Sequence, residues 1–174
     1  MSEFADELAQ CNDNWAVIGE FGSGKSTIAK ACVVPLIRHS IVPLILHAPT
    51  FCKAPNGSLE SKLRFTLSQQ RSPGVACDFP KGFLQSWLAG NQRWLFWMDD
   101  ADQVSPSELV STIDSVRQTE HKIVVAAQVD PRIDGLRVAQ VSRASTAAIK
   151  EFARRKFGTQ AASFIEFLAP LCNQ

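Results

Sequence analysis

Residues 17–28 read VIGEFGSGKSTI: an apolar entry, three glycines within six residues, a lysine, two hydroxyls, then apolar residues at helical spacing. The chemistry open to such a segment is the holding of a polyphosphate. Main-chain N–H groups can wrap an anion only where side chains do not keep the backbone away, and Gly19, Gly22 and Gly24 allow this by left-handed geometry and close contact. A helix beginning near Lys25 aims its N-terminal N–H groups and positive dipole end at the same spot, which makes a concave nest. Lys25 adds a point charge for the outer phosphates, and Ser26 a hydroxyl able to ligate the magnesium ion that accompanies them. Because Gly19 to Ser26 fits G-x-x-x-x-G-K-[ST] without a mismatch, the candidate phosphate-binding residues are Gly19, Glu20, Phe21, Gly22, Ser23, Gly24, Lys25, Ser26 and Thr27.

Chemistry beyond binding needs an acid that positions the metal and a group that orients the nucleophile. Residues 94–103, WLFWMDDADQ, supply both. Five apolar residues in a row fit a central strand buried on both faces, with Asp99 where that strand ends, and ligands of open parallel sheets collect outside those ends. Asp99 is therefore the expected magnesium partner. Asp100 and Asp102 follow, and either could hold the attacking water; Asp102 could instead cap the next helix. A second buried-strand run, HKIVVAAQVDP at 121–131, ends on Gln128. Its amide either reaches the γ-phosphate or the attacking water, or caps the loop. Asp130 and Arg132 have no clearer claim, and His39, His47 and His121 sit on separate elements and form no ligand set.

These groups need a scaffold, and the chain reads as alternating apolar runs and helical patterns, the mark of a parallel sheet with crossover helices. Strands are expected at about 15–19, 42–47, 94–98, 122–127 and 137–141, and helices at about 2–10, 25–39, 58–70, 79–89 and 106–118. Pro43 argues for an edge position or a strand start in the second strand. Residues 48–57 and 71–80 read as loops by their prolines and glycines. After Val141 two further helical patterns follow, at 145–157 and 159–170. Trp94 and Trp97 are read as core. The organisation expected is an N-terminal helical lead-in at 1–14, a nucleotide-binding core at 15–142 and a helical, lid-like segment at 143–174.

At 174 residues with 45% hydrophobic and 20% charged residues, the chain can bury about 70% of its unfolded surface as one domain without metal or disulfide staples. A net charge of +1 gives no global case for nucleic acid or membrane. Charge is local instead. Between residues 131 and 157, seven basic residues face Asp134 and Glu151, a surplus of +5. That surplus reads as a solvated helical face, as a phosphate sensor or subunit contact, or, with no interleaved aromatics, least of all as a nucleic-acid surface. Five scattered cysteines with no C-x-x-C pair indicate neither a disulfide framework nor a zinc site. MSEFADELAQ is no secretory signal, and no stretch reaches the roughly 18 apolar residues of a membrane span, so a cytoplasmic location is expected.

GEFGSGKST, the hydrophobic strand into DDADQ, and the later KIVVAAQ strand followed by a two-helix segment resemble the NACHT branch of the STAND NTPases, the ATPase core of NOD-like receptors and bacterial antiphage relatives. The resemblance covers roughly residues 15–170. It implies a three-layer α/β P-loop NTPase fold with a parallel five-stranded sheet in the order 5-1-4-3-2, ATP or ADP with Mg2+, and a nucleotide-controlled switch governing self-association. Lys25 and Ser26 match the phosphate-loop lysine and hydroxyl, and Asp99 the magnesium-site aspartate. Two positions depart from the family: Asp100 stands where a small residue is usual, and Gln103 where the pattern has glutamate. The sensor strand ends on Gln128 rather than arginine. No winged-helix, repeat or effector region of that family is recognisable, so a fragment or a minimal relative is expected.

The leading expectation is an ATP-binding, slowly hydrolysing switch module. An AAA-type loader acting with nucleic acid is the alternative. A small-molecule or nucleotide kinase would need an arginine-rich lid, and residues 58–90 offer only Arg64 and Arg71. No Asn-Lys-x-Asp stretch of the guanine-specific kind is present, which favours adenine.

Overall fold

The computed structural model describes residues 2–55, 58–69, 83–90, 92–143, 145–158 and 162. Five parallel strands, β1 (Asn14–Ile18), β2 (Ile41–His47), β3 (Arg93–Asp99), β4 (Lys122–Ala127) and β5 (Leu136–Gln140), form one sheet in the order β2-β3-β4-β1-β5. This is the expected order read from the other edge. The central strands are continuous apolar runs because both their faces are covered: all six residues of β4 are buried, as are Trp94 to Met98 of β3.

Alternation along each strand divides the interior in two. Trp94, Phe96 and Met98 of β3 join Ile123 and Val125 of β4 in one core, while Leu95 and Trp97 join Val124 and Ala126 in the other. The first core is closed by α3 (Ala48–Cys52), α4 (Leu59–Gln69), α5 (Phe83–Leu88) and α6 (Pro106–Arg117), through Phe51, Leu63, Leu84 and Ile113. The second is closed by α1 (Ser2–Gln10) and α2 (Lys25–Arg38), through Ala5, Leu8, Ala29 and Leu36. Three layers result. Among the described residues β2 pairs with β3 alone, so Pro43 lies on an edge strand.

Residues 48–52, expected as loop, are helical. Pro49 falls in the first turn of α3, where a missing N–H is no loss, and Ala48, Phe51 and Cys52 are buried. Helix α6 begins on Ser105, whose Oγ accepts from the Glu108 main-chain N–H and donates to the Glu108 carboxylate at 2.6 Å, with Pro106 next in sequence. Helix α1 ends on a device the sequence did not advertise: buried Lys122 of β4 donates to the carbonyls of Leu8 (2.7 Å), Ala9 (3.1 Å) and Cys11. Burial pushes the Lys122 pKa down, and three acceptors satisfy its three donors.

The chain divides into two compact units, Met1–Val141 and Ser142–Gln174. In the second, α7 (Thr146–Phe157) starts on Ser145, whose Oγ accepts from the Ala148 N–H at 3.2 Å, and it carries an exposed Arg155–Glu151 pair at 2.8 Å. The loop expected at 71–80, the first residues of the helix expected at 79–89 and most of the helix expected at 159–170 lie outside the described residues. Among the described residues no helix is long and apolar enough to cross a membrane.

Candidate functional site

Strand β1 runs into the glycine loop, and the loop is pinned to its neighbours before α2 begins. The Gly19 N–H donates to the Ala127 carbonyl at the end of β4 (3.2 Å), and the Val141 N–H to the Ile18 carbonyl (2.6 Å). Gly24 has φ 99° immediately before the helix, a conformation that side-chain-bearing residues rarely adopt. Gly19 serves differently from the expectation. It is not among the left-handed residues, and its role is close approach: a Cβ there would stand 2.5 Å from the Val141 carbonyl oxygen and 2.6 Å from Ser23 Oγ.

Helix α2 has no side-chain cap at its N-terminus, unlike α6 and α7. The first-turn N–H groups of Lys25, Ser26 and Thr27 have no intrahelical acceptor, which suits an anion. Lys25 Nζ folds back onto the Gly19 carbonyl (2.6 Å) and the Glu20 carbonyl (3.1 Å). Ser26 Oγ donates to Asp99 Oδ2 at 2.6 Å, joining residues 73 apart in sequence. Asp99 ends β3 as expected, and its Oδ1 accepts from the Asp100 N–H at 3.2 Å. A hydroxyl and a carboxylate in contact are the hard oxygen donors that magnesium takes beside phosphate oxygens. Among the described residues no group of three or more His, Cys, Asp or Glu side chains is gathered as a metal cage.

The two remaining acids diverge. Asp100 has φ 58° and opens a 3-10 turn at Ala101–Gln103. Together with Phe21, Gly22, Gly24, Lys25, Ser26, Thr27 and Asp99 it lines a cleft of about 310 Å³. Asp102 caps no helix, because Ser105 does so; instead its Oδ2 accepts from Gln128 Nε2 at 3.1 Å. Gln128 thus neither caps its loop nor lies among the residues lining the cleft. A larger cavity of about 510 Å³ lies at the opposite end of the sheet, against Glu60, Arg93, Glu120 and His121.

One side chain set aside in the sequence joins the cleft's edge. His47 ends β2 in register with Asp99, its Nδ1 lies 2.7 Å from Thr50 Oγ1, and its Nε2 is 3.9 Å from Asp100 Oδ2. The signal was that two parallel strands end together, which no local pattern carries. Asp130 accepts from the Arg132 N–H at 2.8 Å, and Arg132 is exposed with φ 51°.

No family model matches the sequence, and no similar sequence is found among curated proteins. Solved structures do resemble the chain. A Drosophila ORC structure bound to GC-rich DNA and Cdc6 aligns with TM-score 0.54 and 13% identity, over 88% of this chain and 29% of that one. PCH-2 of C. elegans aligns with TM-score 0.55 and 13% identity, over 92% and 45%. The replication initiator DnaA bound to AMPPCP and single-stranded DNA aligns with TM-score 0.51 and 14% identity, over 95% and 52%. The chain therefore spans between about a third and a half of the length of these proteins. Sheet order, flanking helices and these alignments agree on one architecture: the chain has the three-layer α/β fold of AAA+ and other P-loop NTPases.

Proposed function

We propose that the chain is an ATP-binding switch module that hydrolyses its nucleotide slowly, as the resemblance to the NACHT branch of the STAND NTPases implies. The observation that carries this reading is the Ser26–Asp99 contact of 2.6 Å beside an uncapped helix N-terminus. Gly19 to Thr27 would enclose the phosphates, and Lys25 would exchange its loop carbonyls for phosphate oxygens. Ser26 and Asp99 would hold a magnesium ion, which when bound offsets charge on the β- and γ-phosphates. Asp100, Asp102 and Gln128 are the residues proposed to orient water or sense the γ-phosphate. Slow turnover is supported by Gln103, which stands where the family has glutamate and can orient water but accept no proton from it.

Self-association governed by the nucleotide is supported by apolar side chains exposed at this end of the sheet. Phe21 on the phosphate loop is 82% exposed and Val129, after β4, 73%. Sedimentation should show different mass with ADP and with a non-hydrolysable ATP analogue. The same monomer in both states argues against a switch. A second reading, an ATPase loader acting with nucleic acid, is favoured by the ORC and DnaA structures, whose proteins are bound to DNA, and by the basic surplus at 131–157. Tight, salt-dependent DNA binding by a nucleotide-independent monomer would make it the better account.

A further inference from the structure

We infer that the crevice at the end of the sheet remote from the phosphate loop binds a free α-amino acid with an apolar side chain. Arg93 takes its carboxylate, Glu120 its ammonium group, and Leu59, Leu88 and Ala89 its side chain. This site is independent of the nucleotide reading above.

The crevice has the size of a small-molecule site, about 510 Å³ against a usual range of roughly 300–1,000 Å³. It lies between the first turn of α4, the end of α5, the start of β3 and the turn that precedes β4. Leu59 and Leu88 are half-buried and pack against the core that α4 and α5 close. With Ala89 they form its apolar wall.

The charges opposite that wall decide the class of ligand. Among the described residues Arg93 is the one cation lining this crevice, and Glu60 and Glu120 are its acids. Glu60 is already paired with Arg64 at 3.1 Å. Arg93 and Glu120 form no ion pair among the described residues, with each other or with any other group. Two opposite charges thus border one crevice and stay apart, which a zwitterion completes and a simple anion or cation does not. A neighbouring cleft of about 330 Å³ shares both and adds Arg117 and Lys122. Those two cations already donate to main-chain carbonyls, Arg117 to that of Asp134 and Lys122 to those of Leu8, Ala9 and Cys11. They offer little to a second anion.

The turn that carries Glu120 is built before any ligand arrives. Thr119 Oγ1 donates to the Val116 carbonyl and accepts from the His121 N–H at 3.2 Å, and the Thr119 N–H donates to the same carbonyl at 2.9 Å. The His121 ring packs edge-on against Phe96, with 5.7 Å between centroids. Its Nδ1 is shut off from solvent, so Nε2 is the nitrogen open to a ligand. Burial lowers the His121 pKa, and the neutral imidazole can add one hydrogen bond without a second positive charge. Across the crevice, Arg93 is placed by the sheet as the first residue of β3, in register with Ile41. A frame set in advance lowers the ordering cost of binding.

The test is calorimetric titration of the full chain with L-leucine, N-acetyl-L-leucine, L-leucinamide and glycine, in wild type, Arg93→Gln, Glu120→Gln and Lys25→Ala. Melting curves establish that each variant folds. Leucine should bind wild type and Lys25→Ala equally, because the phosphate loop takes no part. N-acetylleucine lacks the ammonium group and leucinamide the carboxylate; each should bind roughly twofold to fivefold more weakly, the weight of an ion pair open to water. Glycine, with nothing for the apolar wall, should bind roughly tenfold more weakly. Arg93→Gln should weaken leucine but leave leucinamide unchanged, and Glu120→Gln should weaken leucine but leave N-acetylleucine unchanged. No leucine binding by wild type at millimolar concentration would overturn the assignment. So would equal binding of all four compounds, or unchanged leucine affinity in both charge variants. None of these results bears on ATP, whose affinity should be the same in wild type, Arg93→Gln and Glu120→Gln.

Discussion

Ser26 and Asp99 stand 2.6 Å apart across the mouth of two parallel strands that are not neighbours in the sheet: β1 carries the loop that delivers the hydroxyl, and β3 ends on the carboxylate. Strand β4 lies between them. It leads into Gln128, whose amide donates to Asp102. The chemistry assigned to the chain depends on those strands ending at one level.

Gln128 should report on the γ-phosphate. Its amide donates to the Asp102 carboxylate in the structure, and an incoming terminal phosphate offers a second charged acceptor. Gln128→Leu is expected to weaken ATP roughly twofold to tenfold, less than a full hydrogen bond to a charged group because the amide exchanges one charged acceptor for another, and to leave ADP unchanged. Competition binding with both nucleotides measures this. Equal effects on ATP and ADP would leave Gln128 with no sensing role.

Lys122 ties the N-terminal helix to the sheet. Replacing it by methionine keeps the stem's packing but leaves the carbonyls at the end of α1 without their donors. Hydrogen bonds to a charged group are worth about 1.5–3 kcal/mol, so Lys122→Met should lower the melting temperature by several degrees. Faster hydrogen exchange should appear in residues 2–10. An unchanged melting curve with unchanged exchange would show the contacts to be worth nothing net.

The centre of the sheet was largely legible in the sequence because its strands are buried on both faces and read as apolar runs, WLFWM and IVVAA above all. The phosphate loop and Asp99 were legible for a related reason, since glycine, lysine and a strand-terminal acid at fixed spacing carry their own geometry. Three features were not. Helix α3 was hidden by Pro49, which counts as a breaker in a local reading yet suits a helix's first turn. His47 was hidden because a parallel register joins residues that no local pattern relates. Lys122 was passed over inside an apolar run, although a charge there must find buried acceptors.

Acid should destabilise the fold through His121. Burial lowers its pKa below the usual 6.5, partly offset by Glu120, and its Nδ1 is buried with no partner among the described residues while its ring packs edge-on against Phe96. Because the unfolded chain then binds the proton more tightly, stability rises with pH through this window. The contribution is complete above about pH 6.5 and is lost as pH falls through the lower folded value. Melting temperatures between pH 5 and 7.5 should fall on the acid side in wild type and less so in His121→Leu. Parallel curves for the two proteins would remove His121 as the source.

Nucleotide binding by the phosphate loop is measured most directly by calorimetric titration of the chain with ATP, ADP and GTP, with and without magnesium, in wild type and Lys25→Ala. Adenine nucleotides should bind, most tightly with magnesium, and GTP more weakly. In Lys25→Ala, loss of a charge-assisted bond worth about 1.5–3 kcal/mol should reduce affinity roughly tenfold to a hundredfold. Equal affinity in wild type and Lys25→Ala, or no nucleotide binding by wild type, would contradict it.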